Sequence, residues 1–278
     1  MLVPRAGEWA ERVSALLEEE GARALVVPLI EFAPPDDPAP LDAALDRVGA
    51  GEVDWVALTS ATTVSVLEQR CAVRGTSLAT ALAHARVAAV GPATAAAAQH
   101  AGVHADLIAP LHSGAGLVAA MPDGPGTVFA PHSDLADTTL VDGLRGRGWT
   151  VRDVVAYRTV AGPPAPQGVR RDLADGAVDA VLLTSPSTVA QLLALVGTPP
   201  PTCTVVCIGD RTRRAAAEAG LTVHVTPPTS GVPAMVEALA AHAAGRSDAM
   251  RPSRSDHQPP GNQLPANQPP TDRDQETR

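Results

Sequence analysis

Segments of this chain recur roughly 120 residues further on, and so long a period marks a duplicated domain rather than a solenoid of short units. Asp54-Trp55-Val56-Ala57-Leu58-Thr59-Ser60 returns as Asp179-Ala180-Val181-Leu182-Leu183-Thr184-Ser185. Val90-Gly91-Pro92-Ala93-Thr94 returns as Ile208-Gly209-Asp210-Arg211-Thr212, and Ser113-Gly114 as Ser230-Gly231. The opening Val3-Pro4-Arg5 aligns with Ala130-Pro131-His132. Two similar halves facing each other enclose a cleft, so the repeat also indicates where chemistry would occur.

Strand and helix patterns alternate along both copies, which predicts an α/β fold with parallel sheets. Helices are expected over Glu11 to Glu20, Leu41 to Val48, Thr62 to Arg70, Thr94 to His100, Gly116 to Met121 and Thr138 to Arg145. Strands are expected over Ala24 to Phe32, Val53 to Leu58, Val87 to Val90, Leu107-Ile108, Val128-Phe129 and Val151 to Val160. Proline-rich breaks, Pro34-Pro35-Asp36-Asp37-Pro38 and Gly162-Pro163-Pro164-Ala165-Pro166, fall at equivalent points of the two copies. Each follows a strand–helix–strand unit instead of closing a copy, so the spatial domains are offset from the sequence repeats.

The expected architecture is therefore two similar parallel-sheet, three-layer α/β lobes, duplicated and interleaved, joined by a two-stranded β hinge. Residues 1–32 plus 168–244 would form one lobe and 40–155 the other, with 33–39 and 156–167 as inter-lobe connections. From 245 to 278 the chain turns to Pro, Gln, Asn, Asp, Ser and Arg with almost no apolar residues. Such a tail cannot offset ordering costs of about 1–2 kcal/mol per residue and is expected to be disordered.

Hydrophobic residues make up 45% of the chain, carried by Ala, Val and Leu; there are only one tyrosine, two phenylalanines and three tryptophans. Each aromatic ring therefore needs a reason to be present. Every basic residue is arginine, which excludes Schiff-base catalysis by a lysine amine. A net charge of −9 argues against nucleic acid as a partner, although local arginines and helix N-termini still bind small anions. Cys71, Cys203 and Cys207 form no Cys-x-x-Cys pair, and two cysteines about 13 Å apart on one strand cannot bridge. Without a secretory leader or a long apolar run, the expectation is a cytoplasmic protein with no membrane contact.

In a parallel sheet, ligands sit beyond the carboxyl ends of the strands, against the following helix N-termini. Those positions are Thr59-Ser60-Ala61, Gly91 to Thr94 and Ser113-Gly114 in one copy. Their counterparts are Thr184-Ser185-Pro186-Ser187, Gly209 to Thr212 and Ser230-Gly231. Free backbone N–H groups, a positive dipole end and a small hydroxyl suit carboxylate or phosphate. Helix capping alone would select the same serines and threonines. No Gly-x-Gly-x-x-Gly, Walker loop or Gly-x-Ser-x-Gly elbow is present, and the scattered histidines read as surface residues, so no metal site is expected. Tyr157, in Val155-Ala156-Tyr157-Arg158-Thr159-Val160, has two readings: a core ring with a bonded hydroxyl, or a phenol donating a proton into the cleft. Arg158 alternates to the opposite face, so both side chains share the cleft only if the strand bulges.

These residues, in this order along 2 to 242, resemble the uroporphyrinogen-III synthase family. The likeness rests on Pro4-Arg5, Pro28-Leu29-Ile30, Trp55 to Ser60, Ala89 to Thr94, Ala156 to Val160, Leu183 to Ser187 and Ile208-Gly209-x-x-Thr212. It implies two α/β lobes and a cofactor-free lyase reaction on a linear tetrapyrrole polycarboxylate, hydroxymethylbilane. The bilane would lose its hydroxyl as water and close with ring D inverted through a spiro intermediate. Uncatalysed closure leaves that ring unturned, so control of the bilane's folding is the main task. The resemblance assigns the catalytic role to Tyr157, protonating the departing hydroxyl. It assigns substrate binding to Arg5, Thr59, Ser60, Ala61, Thr94, Ser113, His132, Ser133, Ser185, Pro186, Ser187 and Thr212. His132 stands where many relatives carry arginine, so its carboxylate contact would be weaker at neutral pH. A monomer is implied, with transient contact to the enzyme preceding it in the pathway. The alternatives are a non-catalytic tetrapyrrole- or anion-binding regulatory module on the same scaffold, and a periplasmic-type binding protein, which the missing leader opposes.

Overall fold

A computed structural model of the chain describes residues 1–249. It opens with β1 (Leu2–Val3), α1 (Glu8–Glu19), β2 (Leu25–Val26), β3 (Ile30–Ala33), α2 (Ala39–Gly49) and β4 (Trp55–Leu58). Then come α3 (Ala61–Val73), α4 (Leu78–Ala81), β5 (Arg86–Ala89), α5 (Pro92–His100), β6 (Leu107–Ile108) and α6 (Gly114–Ala120). The second copy contains β7 (Thr127–Ser133), α7 (Thr139–Gly146), β8 (Thr150–Ala161), α8 (Gln167–Ala174) and β9 (Ala180–Leu183). It ends with α9 (Pro186–Leu195), β10 (Thr204–Cys207), α10 (Asp210–Glu218) and α11 (Val232–Ala249).

Local chemistry explains these boundaries. In α1 the buried Ala10, Val13 and Leu17 recur at helical spacing, and Gly21 accepts a φ of 73° just after its end. Ser60, Ser113 and Ser185 cap α3, α6 and α9, accepting from the backbone N–H of Thr63, Gly116 and Thr188. The short α4, which hydrophobic periodicity does not reveal, starts the same way at Ser77.

The expected single strand from Ala24 to Phe32 is in fact two strands in different sheets. Proline has no N–H to continue a ladder, and the chain changes sheets around Pro28, between β2 and β3. The expected tail boundary at 245 also shifts, because α11 continues through Ala249; the rest of that tail, 250–278, lies outside the described residues.

Two sheets organise the molecule. One has the order β10-β9-β1-β2, entirely parallel, and Val225 adds a parallel bridge beside Val206 of β10. The other has the order β3-β8-β7-β4-β5-β6, parallel except for β3, which runs antiparallel to β8. Each sheet thus contains the same series of five parallel partners, but β1 and β2 lie beside β9, while β7 and β8 lie beside β4. The first strand–helix–strand unit of each copy pairs with the later strands of the other. Strand β8 spans both roles, pairing through Thr150 to Tyr157 with β7 and through Arg158 to Ala161 with β3.

Both sheets are covered on both faces. Period-two alternation sends Val56 and Leu58 into one cluster with α2, α3 and α5, and Trp55 and Ala57 into another with α6 and α7. In the second sheet Val181 and Leu183 pack with α8, α9 and α10, and Ala180 and Leu182 with α1 and α11. Among the described residues no helix is long and apolar enough to cross a membrane.

Candidate active-site cleft

The carboxyl ends of β1, β9 and β10 from one sheet, and of β4, β5 and β7 from the other, open on one cleft of about 600 Å³. Its wall carries Arg5 beyond β1, Thr59 and Ser60 beyond β4, and Thr184 to Ser187 beyond β9. Gly209 to Thr212 stand beyond β10, and His132 and Ser133 at the end of β7. Ser113 and Ser230 contribute from the turns leading into α6 and α11. The first N–H groups of each bordering helix have no partner in its own ladder, and at α3, α6 and α9 a serine cap takes only one of them.

Tyr157 reaches the cleft because β8 bulges: His132 pairs with Val155, but Ser133 pairs with Tyr157. The extra residue re-aims the strand, yet Arg158 still points away, donating to the Pro34 carbonyl at 3.1 Å and pairing with Asp36. The Tyr157 ring is largely buried and meets Phe32 edge-on, centroids 5.3 Å apart at 88°. Its hydroxyl lies 3.5 Å from Ser60 Oγ, too far for a strong bond. The Arg5 guanidinium lies 4.9 Å from the Phe32 centroid and 5.1 Å from that of Trp9. Burial lowers the pKa of Arg5, opposed by the charge Tyr157 would carry when ionised, and the nearby Arg12 charge lowers it further. Arg5 stays cationic all the same. A phenol and an arginine braced by two aromatic rings therefore form one wall.

Of the residues expected from the sequence, Arg5, Thr59, Ser60, Ser113, His132, Ser133, Tyr157, Ser185, Pro186, Ser187 and Thr212 line the cleft together. Ala61 and Thr94 do not. Ala61, first residue of α3, turns its side chain outward and is exposed. Thr94 is buried below its turn, although its counterpart Thr212 lines the cleft. The turns are covered differently: the His112 ring lies against Gly91, where a Cβ would sit 3.1 Å from it, while the smaller Ser230 stands over Gly209. His132 is present but engaged, Nε2 with Asp153 and Nδ1 at 2.7 Å from the Ser133 carbonyl oxygen. Neither ring nitrogen is left for a ligand, a stronger restriction than its replacement of arginine implied.

Among the site residues not anticipated are Trp9, Phe32, His112, Asp137 and Thr159, whereas Arg211 lies on the Gly209 to Thr212 turn expected to face a ligand. The scarcity of aromatics was the available signal for Trp9 and Phe32; His112 is exposed, as the surface reading of the histidines expects, but the surface it lies on is that of the cleft.

The cysteines are unsuited to nucleophilic work. All three are buried and free, and burial pushes the Cys203 and Cys207 thiols up to about 11. Among the described residues no group of three or more His, Cys, Asp or Glu could hold a metal ion.

Fold and cleft define a mixed α/β protein of two parallel sheets whose strand ends converge on a hydroxyl-lined, arginine-bearing site. Within that class, the family described as uroporphyrinogen-III synthase HemD matches residues 11–237, and the chain belongs to this family of tetrapyrrole-biosynthesis enzymes. A Methanothermobacter thermautotrophicus protein named "Putative uroporphyrinogen-III synthase" is 32% identical over 86% of this chain and 97% of its own length. The uroporphyrinogen-III synthase of Synechococcus elongatus is 27% identical over 70% of this chain and 74% of its own. Among solved structures, a mutant uroporphyrinogen III synthase from the extremely thermophilic bacterium Thermus thermophilus superimposes with a TM-score of 0.59 at 20% identity. That match covers 88% of this chain and 98% of the other, and establishes the shared fold.

Proposed function

We propose that this chain is a uroporphyrinogen-III synthase, a cyclising lyase that closes hydroxymethylbilane with inversion of ring D and needs no cofactor. The observation that carries the reading is the Tyr157 hydroxyl at the cleft wall, weakly held by Ser60 and beside the Arg5 cation. A phenol with no strong protein partner is free to hydrogen-bond a leaving group. Tyr157 protonates the hydroxyl on ring A as the C–O bond breaks, giving water and an azafulvenium cation that keeps its pyrrole N–H. The substituted carbon of ring D attacks that carbon and forms the spiro intermediate. Its fragmentation breaks the bond from ring D to the bridge towards ring C, and reclosure of that bridge on ring D's unsubstituted α-carbon expels that carbon's proton, which restores Tyr157.

The substrate's acetate and propionate groups fit the helix N-termini after Thr59-Ser60, Ser113 and Ser185-Pro186-Ser187, with Ser133 and Thr212 nearby and Arg5 as a fixed cation. Holding both ends of the bilane at once excludes the unturned closure. The two-sheet organisation supports lobes close to residues 1–32 plus 168–244 and 40–155, except that Ile30 to Phe32 belong to β3, which with the end of β8 forms their connection. The protein acts as a cytoplasmic monomer.

Incubation with freshly prepared hydroxymethylbilane, then oxidation and separation of the isomers, tests the reading. The expected product is the inverted type III isomer; only the uninverted isomer, at the spontaneous rate, would overturn it.

A further inference from the structure

Arg211 and Asp137 face each other across the cleft from different sheets. Arg211 is the second residue of α10, and Asp137 precedes Thr138, the N-cap of α7. Both line the cleft, and Arg211 Nη1 donates to Asp137 Oδ2 at 3.1 Å. The other oxygen, Oδ1, accepts the Thr139 backbone N–H at 3.1 Å, so the carboxylate is fixed to the α7 terminus. The neighbouring Arg213 is satisfied locally by Asp210 of its own helix; Arg211 instead reaches to the opposite side.

We propose that Arg211 is a substrate-carboxylate receptor of this cleft and that Asp137 occupies it as an internal stand-in until substrate displaces it. This rests on the polycarboxylate reading above and adds a specific residue to it. The pair's side chains are 65% and 57% exposed, so it stabilises little and yields readily to a competing carboxylate. Thr139 hydrogen bonds, with the Arg211 charge adding, hold the Asp137 carboxyl below its usual range, so the stand-in is ionised near neutrality. When Asp137 is released, its Oδ1 contact with Thr139 remains, which limits the cost of the exchange. Arg5 is held by rings at the inner wall, whereas Arg211 is exposed and charge-compensated. The two cationic positions therefore differ: Arg5 is always available, and Arg211 is available only to a ligand able to compete.

Arg211→Gln is expected to raise KM for hydroxymethylbilane roughly three- to tenfold with little change in kcat. Asp137→Asn keeps an oxygen for the Thr139 N–H and is expected to lower KM about two- to threefold. Asp137→Asn should have no further effect in the Arg211→Gln background. Arg213→Gln, on the same helix, serves as the control and should leave KM unchanged. Titration of each folded variant with uroporphyrin, an octacarboxylate, measures the same ordering without turnover. If wild-type protein produces no type III isomer but uroporphyrin affinity falls in Arg211→Gln, the enzyme reading fails while the receptor stands. If turnover is normal and Arg211→Gln alters neither KM nor uroporphyrin affinity, the receptor is overturned. Absence of uroporphyrin binding to wild type overturns it as well.

Discussion

Tyr157 joins packing and chemistry in one side chain, and the two can be separated by removing a single oxygen. Phenylalanine preserves the buried ring and its edge contact with Phe32, while the lost hydroxyl contributes only a 3.5 Å approach to Ser60. Tyr157→Phe should therefore cost less than about 1 kcal/mol of stability. Loss of a general acid should lower kcat roughly a hundredfold. Thermal denaturation and the isomer assay on the same preparation check both; an unchanged rate with a lower Tm would return Tyr157 to a purely structural role. Much of this was legible at the residue scale, because a lone tyrosine on a predicted inter-lobe strand already stood out. Its partners were less so. Nothing local indicates that Arg5 lies between Trp9 and Phe32, since Phe32 reaches it through a crossing between sheets. Thr94 and Thr212 occupy matching positions in sequence, yet what lies above each turn, His112 or Ser230, comes from a distant turn of the same copy.

At the scale of elements, the crossings between sheets depend on absent side chains. Gly162, just after β8, donates its N–H to the Leu29 carbonyl at 2.9 Å, and a Cβ there would lie 2.1 Å from the Pro28 carbonyl oxygen. Backbone cannot move aside as a flexible side chain would, so Gly162→Ala must separate the two connecting segments. The expected cost is about 2–3 kcal/mol, within the usual range for overpacking. For a chain of this size it lowers Tm by roughly 5–10 °C, measurable by thermal denaturation. A Tm within a degree of wild type would mean that the crossing is looser than this contact requires. The prolines and glycines around it announced a linker in the sequence. They did not show that Leu25–Val26 and Ile30–Ala33 would pair in different sheets, because hydrophobicity runs through Val27 and Leu29 without interruption. The helix starts at Ser60, Ser113 and Ser185 were readable because capping is set within four residues.

For the whole molecule, the decisive property is that folding units and repeated units do not coincide. The buried clusters flanking the six-stranded sheet draw on Leu41 to Tyr157 alone. Those flanking the four-stranded sheet combine Leu2 to Leu29 with Ala165 to Leu239. A fragment of residues 39–161 therefore keeps both layers around its sheet and loses only the edge strand β3; its length of roughly 120 residues is ample for an independent domain. The equally long fragment 1–123, close to one complete sequence copy, holds β1 without β9, and β4 without β7. The first fragment should show cooperative denaturant unfolding and the second should not, with circular dichroism and near-ultraviolet fluorescence following both. Cooperative folding of 1–123 alone would mean that its strands find partners within one copy and that the exchange is dispensable. If the exchange is instead obligatory, each half of the cleft depends on chain from both copies. Arg5 then reaches the active-site wall only because its strand has joined β9, and Tyr157 only because its strand has joined the sheet of β4.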